Sequence, residues 1–437
     1  MAKPASGLRG ARRSAAAGQV AQFGSFVVIL GIPDGLLGVV WPAMRLGLHR
    51  PIADLGVLVV AGTALYLAGG LLGERIRRAV GFRRTLLWSI VVGLAALLGW
   101  AVAPGWWPVV ASIAVLGFVK GVLDAVVNAH LAVDGGVRRL GLLHASWAIG
   151  GTLGPVIVAT LVAGGRWRAA VVVVAIAAAV LVPFAAVAAR REPRRPPAAH
   201  PRFLGAGGEP TGPGDDGPAP PSGAGGTSAG DRRGRAGARR VRAGIAATAV
   251  AFMAYTAAEA IPVSWGATYL EGDRRLSTAG AAAAMATFWA ALTAGRLALA
   301  VPQKWQPSRV LEASTRLFLA GAAMLWLLPG RLAVAGLPVA GLGSATIFPL
   351  YMALTPARLG KAATGRAVGV AIAGAAVGGP AAVALSGVLA SRAGTGIFGP
   401  FLLTAAVLMY LAHRLLAATV PAGPEAAAPA AARAAAP

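Results

Sequence analysis

Apolar runs of about 20 residues recur along the whole chain, and as helices each is long enough to cross roughly 30 Å of hydrocarbon. In lipid every backbone N–H and C=O must find its partner inside the segment, so such runs can only be helices. They fall at 20–46, 54–73, 84–103, 108–133, 140–164, 168–189, 244–270, 277–301, 310–328, 332–356, 364–390 and 397–418. The pattern predicts an all-α polytopic membrane protein with twelve transmembrane helices. Composition agrees, since 57% of the 437 residues are hydrophobic and 13% charged, against about 45–50% and about 25% in soluble domains. Soluble, fibrous and disordered classes are excluded. The chain has no cysteine, so there is neither a disulfide framework nor a thiolate metal site.

A net charge of +25 would suggest nucleic acid in a soluble protein, but here the basic residues sort by loop. With the N-terminus in the cytoplasm, 29 Lys and Arg face the cytoplasm and eight (Arg45, Arg50, Arg166, Arg168, Arg274, Arg275, Arg331 and Arg392) face outward. Both termini are therefore expected on the cytoplasmic side of the cell membrane by the positive-inside rule, with no nucleic-acid partner. No small-residue cleavage site follows the first run, which reads as a retained anchor. Nine of the eleven tryptophans, among them Trp100, Trp106, Trp107 and Trp167, fall near expected helix ends and read as interfacial anchors. Trp147 and Trp289 fall inside helices and need another role.

Residues 190–243 are rich in Pro, Gly, Ser and Arg, with too few apolar groups to offset the entropy of ordering. They read as a disordered basic cytoplasmic linker between an N-terminal six-helix bundle (20–189) and a C-terminal one (244–418), with tails at 1–19 and 419–437. The fifth run carries AIGGTLGP at Ala148 to Pro155 and the eleventh AIAGAAVGGP at Ala371 to Pro380. A small-residue ridge at matching places suggests parallel six-helix repeats, although small-xxx-small packing is common in membrane helices.

Charges in a bilayer are costly and usually face a cavity or one another. Asp34 lies deep in the first run, between Pro33 and Gly35, where local unwinding beside a binding cavity is expected; a simple helix break is the alternative. Lys120, Asp124 and Asn128 follow at i, i+4 steps on one helix face. Asp124 there either exchanges a proton or substrate for Lys120, or forms an ion pair that only permits insertion. Glu259 is the deep carboxylate of the second half, functional or merely packed. Trp147 and Trp289 could offer indole faces to the C–H faces of a sugar or polyol whose hydroxyls reach Asp124, Asn128 and Glu259. His130 and His144 read as solvated interfacial residues, and neither has partners at metal-ligand spacing. Between the second and third runs, Glu74, Arg75, Arg83 and Arg84 read as a charge latch, or as a plain positive-inside loop.

Together these residues resemble the major facilitator superfamily, and within it the fucose-permease-like sugar:proton symporters. Gly70, Glu74, Arg75, Gly81, Arg83 and Arg84 match the family's signature between helices two and three, with four extra residues before Gly81. Leu123, Asp124 and Asn128 match the permease's helix-four string, Asp34 its helix-one acid, and Ser344, Ile347, Phe348 and Pro349 its helix-ten string. Gly295-Arg296 is similar to its helix-eight Gly-Arg. The Thr and Pro of the helix-four string are absent, and Lys120 has no counterpart there. The resemblance implies a transporter rather than an enzyme, working as a monomer by alternating access on a small polar, sugar- or polyol-like solute. It implies no cofactor beyond a coupling proton on Asp34 or Asp124; taken with the residues read above, substrate contacts are expected from Lys120, Asn128, Glu259, Trp147 and Trp289, and gating from Glu74, Arg75, Arg83, Arg84 and Arg296. Proton-driven efflux is the alternative, because Gly150, Gly154 and Pro155 partly match the antiporter helix-five string. A membrane enzyme or receptor would need a folded region outside the bilayer, and no outward loop is long enough.

Overall fold

The computed structural model describes residues 30–134, 136–190, 229–301 and 305–420. These residues form twelve α-helices and no strand. Helix α1 is described over 30–47. It is followed by α2 (Leu55–Val80), α3 (Phe82–Val102), α4 (Trp106–Asp134), α5 (Gly136–Ala163), α6 (Trp167–Arg190), α7 (Ala229–Gly272), α8 (Thr278–Ala300), α9 (Pro307–Leu327), α10 (Gly336–Leu359), α11 (Lys361–Ala393) and α12 (Phe398–Thr419). Among the described residues ten helices are long and apolar enough to cross a membrane, and α6 adds a shorter apolar stretch, Trp167–Val180. The chain is a multi-pass membrane protein.

Each helix overlaps one of the expected runs, but α7 differs at its start. It has 44 residues, about 66 Å of helix at 1.5 Å per residue, twice what a bilayer needs. Residues 229–243, expected as disordered linker, are helical. Pro221 is the last proline before this stretch; beyond it Ala and Arg, strong helix formers, extend a helix whose costly nucleus the membrane segment already supplies. The rest of the linker, 191–228, and both tails lie outside the described residues.

Packing within the halves repeats with a step of six helices. In the first half α2 lies along α4, and α3 against α4 and α6; in the second α8 lies along α10, and α9 against α10 and α12. The α1–α5 and α7–α11 pairs rest on the two small-residue ridges. A Cβ on Gly35 would stand 2.1 Å from the carbonyl oxygen of Gly151, and one on Gly154 2.7 Å from that of Ile32. In the second half a Cβ on Gly374 would stand 2.7 Å from the Ala249 oxygen, and one on Gly378 2.1 Å from that of Met253. Backbones approach this closely only where no side chain intervenes. The same contacts explain why α1 is continuous helix through Pro33 and Gly35, where local unwinding was expected. Packing against α5 holds the turn together despite the donor that proline lacks.

The halves meet along α5–α8 and α2–α11, the pairs that the repeat relates to each other. Contact along α5–α8 runs from Arg296, which reaches the carbonyl of His144, to Thr152 and Thr293, whose hydroxyls are 3.1 Å apart. Contact across α2–α11 includes Gly56, whose added Cβ would meet Ala384 Cα at 2.8 Å, near the ends of these helices remote from the linker. On that same face a Cβ on Gly38 of α1 would lie 2.3 Å from the Val263 oxygen of α7. The two halves are thus closed against each other on the face opposite the linker.

The tryptophans divide differently from the expectation. Trp88, Trp107, Trp305 and Trp326 are exposed and suit an interfacial belt, whereas Trp41, Trp100, Trp106, Trp167 and Trp265 are buried. Several of these fill the closed face. Trp265 stacks on Phe398 at 4.6 Å, and Trp100 Nε1 donates to Met44 Sδ at 3.2 Å. Proximity to a helix end does not distinguish a ring facing lipid from one turned into the bundle.

Gly35→Ala should lower stability by about 1–3 kcal/mol, the usual cost of overpacking, because α1 and α5 cannot separate without breaking the contacts around them. Gly369→Ala, at a position where an added Cβ meets nothing within 4 Å, should be neutral or slightly stabilising. Thermal unfolding of both variants in detergent checks this, and equal melting temperatures would refute the close-packing account.

Candidate functional site

Lys120 lies midway along α4, fourteen residues from either end, and carries its ammonium towards α1. There Asp34 Oδ2 accepts from Lys120 Nζ and, on the same oxygen, from Trp147 Nε1 of α5 at 2.8 Å. Three helices of the first half are joined at one carboxylate oxygen. Lys120 Nζ also stands 5.5 Å from the centroid of the Trp147 ring and 5.9 Å from that of Tyr66 in α2. The ion-paired side chains keep 25% and 28% of their surface exposed in the middle of the bundle.

The expected Lys120–Asp124 pair is not formed. Asp124, one turn further along α4, instead accepts from the Tyr66 hydroxyl at 2.7 Å. The two neighbours on one helix face turn to different helices, because an acid on α1 outcompetes one on the same helix for the ammonium. Tyr66 was not anticipated as a partner; a phenol in the middle of an apolar run was the available signal. Asn128, one turn beyond Asp124, has a buried Oδ1 with no hydrogen-bond partner.

In the second half Glu259 of α7 accepts from Ser344 Oγ of α10, and the Tyr255 hydroxyl lies 3.3 Å from the same serine oxygen. Arg296 on α8 is 6% exposed, places its guanidinium carbon 4.8 Å from the Trp147 centroid and donates from Nη1 to the His144 carbonyl at 3.3 Å. Its Nε is buried and unpartnered. Trp289 packs edge-on to Trp147 at 5.4 Å and is 1% exposed, with its ring over Gly151. Asp34, Lys120, Trp147, Trp289 and Arg296 therefore form one connected group that crosses from one half to the other, with Asp124 and Tyr66 adjoining it through Lys120, while Glu259 with Ser344 is held in the second half.

Of the charges expected to form a latch, Glu74 pairs within its own helix with Arg77 at 2.6 Å and Arg78 at 2.9 Å, while Arg75, Arg83 and Arg84 are exposed around the α2–α3 turn. Spacing of three and four residues puts Arg77 and Arg78 on the face of Glu74, whereas the adjacent Arg75 points elsewhere. Gly81 makes that turn at φ 87°, a backbone conformation that glycine adopts readily. His144 packs near Phe348 at 6.4 Å, and the side chain of His130 lies outside the described residues. A second polar group joins α9 to α12, where Glu312 receives His413 Nε2 at 2.8 Å and Arg316 at 2.7 Å. Among the described residues no group of three metal-ligating side chains comes together.

This geometry couples the charge state of Asp34 to contacts on two other helices. A proton on Asp34 removes the partner of Lys120 and weakens the hold on Trp147, whose ring carries Arg296 of the other half.

Comparison with known proteins agrees with the architecture. The crystal structure of FucP in its outward conformation matches 92% of this chain and 98% of its own at 14% identity, with a TM-score of 0.57. The nucleoside transporter NupG, in a mutant form, matches 92% and 99% at 14% identity and a TM-score of 0.65. A bacterial homologue of the human lysosomal transporter Spinster, inward-facing and unoccupied, matches 93% and 98% at 13% identity and a TM-score of 0.62. Among curated proteins none matches. The family model of the Major Facilitator Superfamily matches residues 23–371, well over half of the chain, and the protein therefore belongs to the transporters of that superfamily.

Proposed function

We propose that the chain moves a small polar, sugar- or polyol-like solute across the cytoplasmic membrane by proton-coupled symport, as a monomer with both termini in the cytoplasm. The observation that carries this reading is the meeting of Asp34, Lys120 and Trp147 in mid-bundle, with Arg296 of the other half on the same indole. A titratable carboxylate there, joined by contact to both halves, lets protonation state and the relation of the halves depend on each other. Asp124 with Tyr66 is a second carboxylate that the same proton can use. Two proteins of similar fold are the E. coli fucose:proton symporter, at 15% identity, and a nucleoside transporter, so the architecture accommodates small polar cargo and proton coupling. A proton moving down the membrane potential supplies about 2.3 kcal/mol per 100 mV, enough to drive accumulation.

Reconstituted in proteoliposomes, the protein should move protons and a solute in the same direction when offered sugars and polyols. Opposite movement with cationic drugs would establish efflux by antiport instead. Asp34→Asn should abolish uphill, pH-driven uptake while leaving downhill counterflow, and Asp124→Asn should weaken it. Full uphill uptake in both variants would remove the carboxylates from coupling.

Trp147→Ala and Trp289→Ala should separate two roles. Trp147 is part-exposed and bonded to Asp34, so its loss should reduce solute affinity about tenfold and shift the pH dependence of uptake. Trp289 fills the groove over Gly151, so its loss should lower thermal stability by about 3–5 kcal/mol, as for other large-to-small core changes, with smaller change in affinity. Affinity and melting temperature measured on both variants decide this, and equal effects on both readouts would contradict the division.

A further inference from the structure

Two buried polar atoms on α8 and α4, helices that contribute to the central group, have no partner, and they are of opposite kinds. Arg296 Nε is a donor without an acceptor and Asn128 Oδ1 an acceptor without a donor. The arginine is the more demanding. A guanidinium offers five N–H donors, and the hydrogen bond recorded for Arg296 is a 3.3 Å contact to a backbone carbonyl, supplemented by the face of Trp147. Among the described residues no carboxylate lies within ion-pair distance of it. Asp34 is taken by Lys120 and Trp147, Glu259 by Ser344, and Asp124 by Tyr66. Buried cations are ordinarily matched by an anion.

We infer that the anion is the solute's own, and that the cargo is a small polyhydroxylated acid whose carboxylate is held between Arg296 and Lys120 over Trp147 while Asp34 carries the coupling proton. This rests on the transport reading above and narrows its substrate class. Both cations lie over one indole ring, 4.8 and 5.5 Å from its centroid. With Asp34 ionised, Lys120 is engaged and the anion has one cation. With Asp34 protonated, the ammonium exchanges the aspartate for the solute's carboxylate, so the number of ion pairs is conserved and only the partner changes. Proton and carboxylate charges cancel, so for such a cargo the pair moves without net charge and the pH gradient, in place of the membrane potential, drives accumulation. Asn128, two turns from Lys120 on the same face of α4, leaves its free oxygen for a solute hydroxyl. A neutral sugar would satisfy Asn128 and leave Arg296 as it is.

The groups facing Asp34 are Lys120 of α4 and Trp147 of α5, with Asp124 and Tyr66 close behind them; Arg296 faces Trp147 from the second half. The exchange can therefore be read as proton uptake. The test uses the full-length protein in detergent, with tryptophan fluorescence as the binding signal, and four probes: a hexose, the matching hexitol, the matching hexuronate and the matching hexonate. At least one acid should bind tenfold or more tighter than both neutral compounds, tighter at pH 6 than at pH 8, with one proton taken up per molecule bound in weakly buffered solution. Arg296→Gln should lose at least tenfold in affinity for the acid, and Arg296→Lys should recover part of it. Hexose or hexitol binding as tightly as the acids would overturn the inference and leave sugar or polyol transport standing. Binding of none of the four would overturn the sugar-like reading itself. Acid binding undiminished in Arg296→Gln, or without proton uptake, would also overturn it, and the wild-type comparison decides the matter even if no arginine variant folds.

Discussion

The burial of Lys120 opposite Asp34 is the constraint on which the centre of this protein depends. An ammonium halfway along a membrane helix is tolerated only with an anion at hand, and here the anion comes from another helix, so α1 and α4 must stand at the separation that lets the two meet. Trp147 then donates to the same carboxylate oxygen, which brings α5 into the arrangement. The three helices are held by charge and hydrogen bonding where the surrounding lipid gives no hydrophobic drive for helices to associate. The approach of α1 to α5 needs residues without side chains, since a Cβ on Gly31 or Gly35 would stand 2.1 Å from the carbonyl oxygen of Trp147 or Gly151, and one on Gly154 2.7 Å from that of Ile32. Electrostatics and close backbone packing are thus two conditions on one geometry.

Repetition carries the packing into the second half but not the chemistry. The α7–α11 pair reproduces the glycine contacts of α1–α5, with Gly374 and Gly378 on backbone oxygens of α7, yet among the described residues no ion pair like Lys120–Asp34 joins α7 to a neighbouring helix. Glu259 is instead held by a serine hydroxyl. The cation of the second half, Arg296, lies on α8 and turns across the interface to the indole of the first. Its side chain leans towards the N-terminal end of α8, as helical side chains do, and so reaches inward from a position near the linker face. One half holds its own charge balance while the other directs its charge at the first, which makes Trp147 the place where a change in either half is felt by both.

The twelve helices were legible because lipid leaves so few options: apolar length alone settles where they run. Legible too were the two ridges, whose repetition marked the α5 and α11 positions, and the carboxylates, because charges are conspicuous in apolar runs. Pairing was not. Lys120 and Asp124 share a helix face, and nothing local says that the lysine prefers Asp34 and the aspartate Tyr66, since that preference is set by how α1, α2 and α4 come together. The partners of Glu74 were hidden for a related reason: Glu74 and Arg75 are adjacent in sequence, but i+3 and i+4 neighbours face each other on a helix, which favours Arg77 and Arg78. The extension of α7 back to Ala229 escaped a reading based on polarity, because a helix that begins in the membrane can continue into water where no proline stops it, here on Ala and Arg and through Gly230, Gly234 and Gly237.

The closed face combines tight packing with incomplete polar satisfaction. Gly38 against Val263 and Gly56 against Ala384 bring the halves to backbone contact there, and Trp265 stacked on Phe398 fills the space beside them. Yet Arg45 Nε at the end of α1 and Glu271 Oε1 at the end of α7 are both buried without a hydrogen-bond partner, as are the indole nitrogens of Trp41 and Trp265. An unsatisfied buried polar group costs about 1–3 kcal/mol, so several of them offset a substantial part of what the apolar contacts contribute. A transporter needs its alternative forms within a few kcal/mol of each other, since a solute or proton can shift the balance only by its differential affinity for them.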